Sequence, residues 1–189
     1  PQDVEKDYLV HARTHLSLGD TAQYVDTIFK WVSGISKGTF VGAVLGDYGE
    51  GKTSFLLHVW AQSRERQVFA VPPFEWNAFE QIVDAVAGWI QYVLKDTHPE
   101  LTRRIQRIHN KFRQQTNQDL ARAIAKTGQD YDSVLETIEA LVSQGMTLPE
   151  MSAARLLDFV AEATSIVREA GYKGLLVLLD EPEVAAKKL

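Results

Sequence analysis

The 189-residue chain contains no cysteine. This absence excludes disulfide bonds, thiolate metal sites and cysteine nucleophiles, and it fits the reducing cytoplasm. No apolar stretch reaches the roughly 20 residues that a membrane-spanning helix needs, and the N-terminus lacks the pattern of a secretory signal. The net charge is −5, so the chain has no general attraction to nucleic acid. Together these absences predict a cytoplasmic protein without a membrane segment.

One glycine-rich motif follows the pattern G-x-x-x-x-G-K-[ST]. Residues 39–45 before it are apolar and predict a buried strand, and residues 54–61 after it predict a helix. Strand, loop and helix in this order are the setting in which the pattern binds phosphate. The alternative is an ordinary glycine turn. The residues predicted to contact a nucleotide are Gly46, Asp47, Tyr48, Gly49, Glu50, Gly51, Lys52, Thr53 and Ser54.

The residue types of this motif suit phosphate chemistry. Glycines allow a loop whose backbone N–H groups all point toward an anion, and the start of the following helix adds a partial positive charge. Lys52 is predicted to reach the β- and γ-phosphates, which would also make it a catalytic residue, and the Thr53 hydroxyl to ligate Mg²⁺.

A second motif lies near the other end of the sequence. Residues 174–179 are a continuous apolar run, typical of a parallel strand buried on both faces. Ligands of open α/β sheets bind at the carboxyl ends of the strands, where Asp180 and Glu181 follow. Asp180 is predicted to hold Mg²⁺, directly or through a water, and Glu181 to activate the water that attacks the γ-phosphate. The alternative is a core strand that ends in solvated acids.

The sequence favours ATP over GTP. A GTPase would be expected to show Asp-x-x-Gly after the acidic strand, but Asp180 is followed by Glu-Pro-Glu. The guanine-reading pattern Asn-Lys-x-Asp is also missing, because the sequence that starts it, Asn110-Lys111, has Arg113 at the fourth position. We therefore predict ATP and Mg²⁺ as the ligands.

The predicted fold class is α/β, a three-layer P-loop NTPase core with a mostly parallel sheet that is incomplete in this chain. Residues 1–19 are expected to form a polar N-terminal arm. Residues 20–75 and 171–189 are expected to form the nucleotide-binding core, in which residues 67–71 form a strand stopped by Pro72 and Pro73. Residues 76–170 carry apolar positions at helical spacing and are expected to be a helical insertion.

One stretch of this insertion is strongly basic. No acidic residue falls between Leu101 and Thr116, and three of the cations recur at four-residue spacing, opposite an apolar stripe. One interpretation is a solvated basic face; the other is a contact with nucleic-acid phosphates or an acidic partner. The cations are Arg103, Arg104, Arg107, Lys111 and Arg113.

Residues 44–56 and 171–181 together resemble the ATP-binding proteins of bacteriophage-exclusion (BREX-type) defence systems, which are similar to AAA+ and STAND ATPases. The resemblance implies an ATPase that couples ATP to a conformational switch, with Lys52 and Thr53 on phosphate and Mg²⁺ and with Asp180 and Glu181 on metal and water. Residues 178–183 also resemble the acidic strand of ABC-type ATPases, including the overcoming-lysogenization-defect nucleases, but residues 151–155 lack the glycines of their signature.

Both families imply a further strand between the first and the acidic strands, together with a sensor residue and an arginine finger. No segment remains for them after Asp180, so we expect the chain to be the N-terminal part of a larger ATPase, inactive by itself. A homo-oligomer or larger protein complex is expected. A nucleotide-gated binding module without catalysis remains the non-enzymatic alternative.

Overall fold

A computed structural model of the chain describes residues 21–34, 41–45, 51–144 and 153–180. The described elements follow one another as α1 (Thr21–Gly34), α2 (Lys52–Ser63), β1 (Phe69–Glu75), α3 (Phe79–Leu94), α4 (Pro99–Ala125), α5 (Tyr131–Ser143), α6 (Ala153–Glu169) and β2 (Leu175–Asp180). The contacts divide the chain into two units. The first comprises residues 1–77 and 161–189, and the second comprises residues 78–160.

The first unit is built around a two-stranded parallel sheet. β1 pairs with β2 in a register that matches Phe69 with Leu175 and Glu75 with Asp180. Helix α2 packs on β1 and also contacts β2. Its buried side chains include Leu57, which is 2% exposed. The helix predicted over residues 54–61 is confirmed, because it lies within α2.

Helix α1 packs close to the start of β2. A side chain at Gly174 would place its Cβ 2.9 Å from Val32 Cγ1 and 3.0 Å from the Val32 carbonyl oxygen, so only glycine fits here. Arg66, which lies between α2 and β1, also contacts α1. Its Nη2 atom is 2.5 Å from Asp26 Oδ1, and its guanidinium lies 5.1 Å from the centre of the Phe29 ring. These contacts hold α1 against the rest of the first unit.

The end of α6 is a Schellman motif, which turns the chain into β2. The backbone N–H of Gly171 donates to Arg168 at 3.0 Å, and that of Tyr172 donates to Val167 at 3.1 Å. Gly171 has φ 95°, a left-handed conformation that favours glycine. Tyr172 then meets the Phe69 ring edge-on, with ring centres 5.1 Å apart.

Strand β1 continues through the two prolines that were expected to stop it. The prediction that the strand ends at Val71 is wrong, because β1 runs to Glu75. The register with β2 is irregular between Val71 and Phe74. Proline has no N–H to donate to a ladder, and strands accommodate it at bulges and on edges. The extension places Glu75 beside Asp180.

The second unit is helical throughout its described residues. Helices α3 and α4 pack against each other, as do α4 and α5. The predicted stripe of α4 is confirmed, since Leu101, Ile105, Ile108 and Phe112 are all buried. The Phe112 ring meets Phe159 of α6 edge-on, with centres 5.4 Å apart. Ile138 is the buried residue of α5.

The predicted three-layer α/β core is wrong for the described chain. The structure is 70% helical, and two strands make up its sheet. Two predicted strand features fail. Residues 41–45 form no regular secondary structure and are exposed, with Leu45 at 90%, and Leu178 is the buried residue of β2, whose other positions are half-buried. A strand in a sheet needs a neighbour to bond its backbone, and a two-stranded sheet is too narrow to be covered on both faces.

Candidate functional site

The phosphate-loop motif leads directly into helix α2. Gly51 precedes the helix with φ 78° and ψ 25°, a left-handed conformation that glycine adopts without strain. Residues 46–50, with Gly46, Asp47, Tyr48, Gly49 and Glu50, lie outside the described residues. The first backbone hydrogen bond of the helix runs from Phe55 N–H to Gly51 O at 2.9 Å.

The first turn of α2 begins directly after Gly51. Lys52, Thr53 and Ser54 occupy this turn, and the N–H groups of a first turn have no carbonyl partner within the helix. Gly51 has no side chain that could cap them. The start of α2 therefore carries a partial positive charge, which suits a phosphate bound beside this turn.

Thr53 and Asp180 meet at the edge of the sheet. The Thr53 hydroxyl donates a hydrogen bond of 2.7 Å to Asp180 Oδ2, across 127 positions of sequence. Thr53 is the second residue of α2 and Asp180 the last of β2. The packing of α2 on the sheet thus joins the two sequence motifs, although neither motif specifies the other locally.

The two oxygens suit an Mg²⁺ ion. Adjacent ligands of an octahedral Mg²⁺ at about 2.1 Å lie roughly 3 Å apart, close to the Thr53–Asp180 separation. Mg²⁺ prefers a hydroxyl or carboxylate oxygen with several waters and phosphate oxygens over a cage of protein ligands. No group of three or more His, Asp or Glu side chains able to hold a metal occurs among the described residues. A site of one carboxylate and one hydroxyl fits such an ion when phosphate supplies the remaining charge.

A second carboxylate lies at the same edge of the sheet. Glu75 is the register partner of Asp180 and is exposed. The sequence pattern did not point to Glu75, because the two prolines predicted an end of the strand at Val71. The signal that could have found it is Phe74, since an apolar residue after two prolines suggests that the strand resumes. Glu181, the predicted water-activating residue, lies outside the described residues.

The basic residues of α4 do not all lie on one surface. Arg103, Arg107 and Lys111 are exposed. Arg113 instead binds Asp84 of α3, with its Nε 3.1 Å from Oδ1 and a further contact through its terminal nitrogen. Arg104 is half-buried and engaged within the protein.

Asp84 is held by two residues of α4. His109 Nε2 lies 2.7 Å from Asp84 Oδ1, beside the Arg113 contact. Burial alone would raise the pKa of Asp84, but the hydrogen bonds and positive charge of His109 and Arg113 outweigh burial and lower that pKa below its ordinary value of 3.8. The cluster fastens α3 to α4 and engages Arg113 in an ion pair within the protein.

No helix in the described part of the chain is long and apolar enough to cross a membrane. Comparisons with protein families, with curated proteins and with solved structures found no match to the sequence or fold of this chain.

Proposed function

We propose that the chain binds ATP with Mg²⁺ through residues 46–54 and that, as part of a larger ATPase, it contributes Asp180 and Glu181 to ATP hydrolysis. The observation that carries the proposal is the 2.7 Å hydrogen bond between the Thr53 hydroxyl and Asp180. A phosphate-loop threonine and an acid at a strand end hold the metal together in nucleotide hydrolases of this type. A chance glycine turn gives no reason for its threonine to meet that acid.

Under this proposal, phosphate binding, metal binding and water activation belong to different residues. Lys52 contacts the β- and γ-phosphates, and the first-turn N–H groups of α2 bind phosphate oxygens. Thr53 and Asp180 would hold the metal, Thr53 through its hydroxyl oxygen and Asp180 through its carboxylate, directly or through a water. Mg²⁺, when bound, supplies positive charge to the phosphate oxygens. Glu181 accepts a proton from the attacking water.

Lys52→Ala tests the binding step. Loss of a charge-assisted contact worth about 1.5–3 kcal/mol should weaken Mg-ATP binding at least tenfold in titration calorimetry. Lys173→Ala is the matched control, because exposed Lys173 precedes β2 at the end opposite Asp180. It removes the same charge and should bind ATP as the parent does. Equal affinity of the Lys52→Ala variant and the parent would refute the phosphate site.

Thr53→Ala and Asp180→Asn test the metal. Both should raise the Mg²⁺ concentration needed for tight ATP binding while leaving metal-free ATP binding nearly unchanged, because Lys52 and the backbone still hold the phosphates. A Mg²⁺ requirement that stays at the parent value would remove these two residues from the site.

Glu181→Gln tests hydrolysis separately from binding. The variant keeps the shape of the side chain and loses the base, so turnover should fall roughly 10²-fold or more while ATP still binds. The measurement belongs in the protein that shows ATPase activity, with any partner present. Parent-like turnover would assign water activation to another group.

We place this activity in a larger assembly, a homo-oligomer or a complex with other proteins, in the cytoplasm. The support is the sequence resemblance to phage-exclusion ATPases, in which ATP drives a conformational switch. Nucleic acid is the macromolecular partner that we assign to the exposed cations of α4.

A further inference from the structure

Helix α4 has an exposed face made of cations and carboxamides. The opposite side of the helix is buried, at Leu101, Ile105, Ile108 and Phe112. The residues of the exposed side, termed the cation–amide face, are Arg103, Gln106, Arg107, Asn110, Lys111 and Gln114, and all six are exposed.

The cation–amide face is positive in a protein of net charge −5. From Leu101 to Gln118 the helix carries no acid. Glu100 shares a shallow hollow with Arg103 and Arg107 at one end of the face. At the other end, Asp119 forms ion pairs with Arg122 and Arg155. The net negative charge provides no general attraction for a polyanion, so any attraction comes from the cations of this face.

The cations of the face are available to an external anion. Arg103 Nε donates to Pro99 O at 3.3 Å, and Arg107 Nε donates to Arg103 O at 3.5 Å. In both bonds the arginine donates through Nε, so its side chain lies along the helix. The terminal nitrogens can then bind an external partner. Among the residues that the structure describes, no carboxylate forms an ion pair with Arg103, Arg107 or Lys111.

We propose that the cation–amide face docks into the major groove of duplex DNA. Four residues of helix rise about 6 Å, so Arg103 and Lys111 are about 12 Å apart along the axis. A helix with its side chains is about 10–12 Å in diameter, which fits the roughly 12 Å width of the major groove, so the cations can follow phosphates along the groove while the face points to the bases. The proposal does not depend on the nucleotide site.

The carboxamides distinguish DNA from an acidic protein as the partner. Gln106, Asn110 and Gln114 lie between and beside the cations. A carboxamide both donates and accepts hydrogen bonds, and this combination matches the N6–H and N7 groups of adenine in the major groove. A protein carboxylate accepts hydrogen bonds and offers no such donor.

The salt dependence of binding measures the phosphate contacts. The probe is a fluorescent duplex DNA of about 20 base pairs, titrated by anisotropy at several KCl concentrations. Replacing Arg103, Arg107 and Lys111 by Gln should lower the slope of log K against log salt by about 2.7, at 0.9 per lost contact. Replacing Lys30, Lys95 and Lys126 by Gln removes the same charge from exposed positions outside the face and should leave the slope within about 0.5 of the parent. Absence of duplex binding by the parent, or an equal slope change in both variants, overturns the proposal.

The carboxamides are tested by sequence preference. Gln106→Ala, Asn110→Ala and Gln114→Ala together should weaken binding to the best duplex from a randomised pool about fivefold or more. The salt slope should stay unchanged, because no charge is lost. An RNA duplex, whose major groove is deep and narrow, should bind more weakly than the DNA duplex. Equal binding of RNA and DNA duplexes, or no loss in the alanine variant, overturns docking in the major groove. Displacement of DNA by polyglutamate at equal charge concentration would assign the face to an acidic protein.

Discussion

At the scale of single residues, the contact between Thr53 and Asp180 joins the two sequence motifs. Each motif by itself has an ordinary structural explanation: a glycine turn in one case and a strand with solvated acids in the other. Their side chains meet within 2.7 Å although 127 positions separate them. The contact is therefore evidence for a shared site that spacing within either motif could not supply.

Asp84 provides a prediction about pH. Because its folded-state pKa is lowered, its contribution to stability is present above the ordinary carboxyl pKa of 3.8 and is lost as pH falls through the lower folded-state value. Asp84→Asn should reduce the free energy of unfolding by up to about 1 kcal/mol at pH 7, since the pair is partly solvated. The difference from the parent should shrink below about pH 4 in urea melts.

The matched control for this effect is Glu136→Gln, an exposed acid in the middle of α5. It removes the same charge without the His109 and Arg113 contacts. A difference between parent and Asp84→Asn that stays constant from pH 3 to pH 7 would show that the carboxylate charge does not stabilise the fold.

At the scale of elements, two glycines are required for different reasons. Gly171 needs glycine for its backbone, because φ is 95° and no atom lies within 4 Å of the position that a Cβ would occupy there. Gly174 needs glycine for space, because its Cβ would meet Val32. The first requirement belongs to the end of α6, and the second belongs to the packing of α1 on the start of β2.

Alanine substitutions should separate these two causes in thermal unfolding. Gly171→Ala should cost about 1–2 kcal/mol from left-handed strain, and a second substitution, Val32→Ala, should not restore it. Gly174→Ala should cost about 1–3 kcal/mol from overpacking, and Val32→Ala should recover only part, since the Val32 carbonyl also lies in the way. Gly88→Ala, at an exposed position inside α3, should stabilise by about 0.5–1 kcal/mol. Full rescue of Gly171→Ala by Val32→Ala would contradict backbone strain as the cause.

At the scale of the whole molecule, the two units predict a localised response to nucleotide. A ligand at about 100 times its Kd stabilises the unit that binds it by about 2.7 kcal/mol. Hydrogen exchange with Mg-ATP should therefore slow in α2 and β2, and stay unchanged in α5 of the second unit. The Lys52→Ala variant should show no slowing at the same ATP concentration. Equal protection of α5 would mean that nucleotide binding also stabilises the second unit.

The sequence by itself indicated where helices form, and it predicted Thr53 and Asp180 as residues of one candidate site. Apolar spacing correctly predicted helices over the segment that contains α3 and the stripe of α4, because helical hydrogen bonds are local and the buried face follows from a 3.6-residue period. The N-terminal start of α2 followed from glycine and the motif. The identity of Thr53 and Asp180 as partners was also a sequence prediction, but only as a hypothesis about two distant motifs.

Only the tertiary structure decided which strands form and where the side chains point. Residues 41–45 are as apolar as β2, yet they form no strand in the described structure, because strand hydrogen bonds come from a neighbouring chain segment rather than from local sequence. β1 passes through Pro72 and Pro73 because pairing with β2 resumes beyond them. Arg113 does not join the exposed cations of α4, because it binds Asp84 of α3. Each outcome depends on contacts between residues far apart in sequence, which local periodicity does not encode.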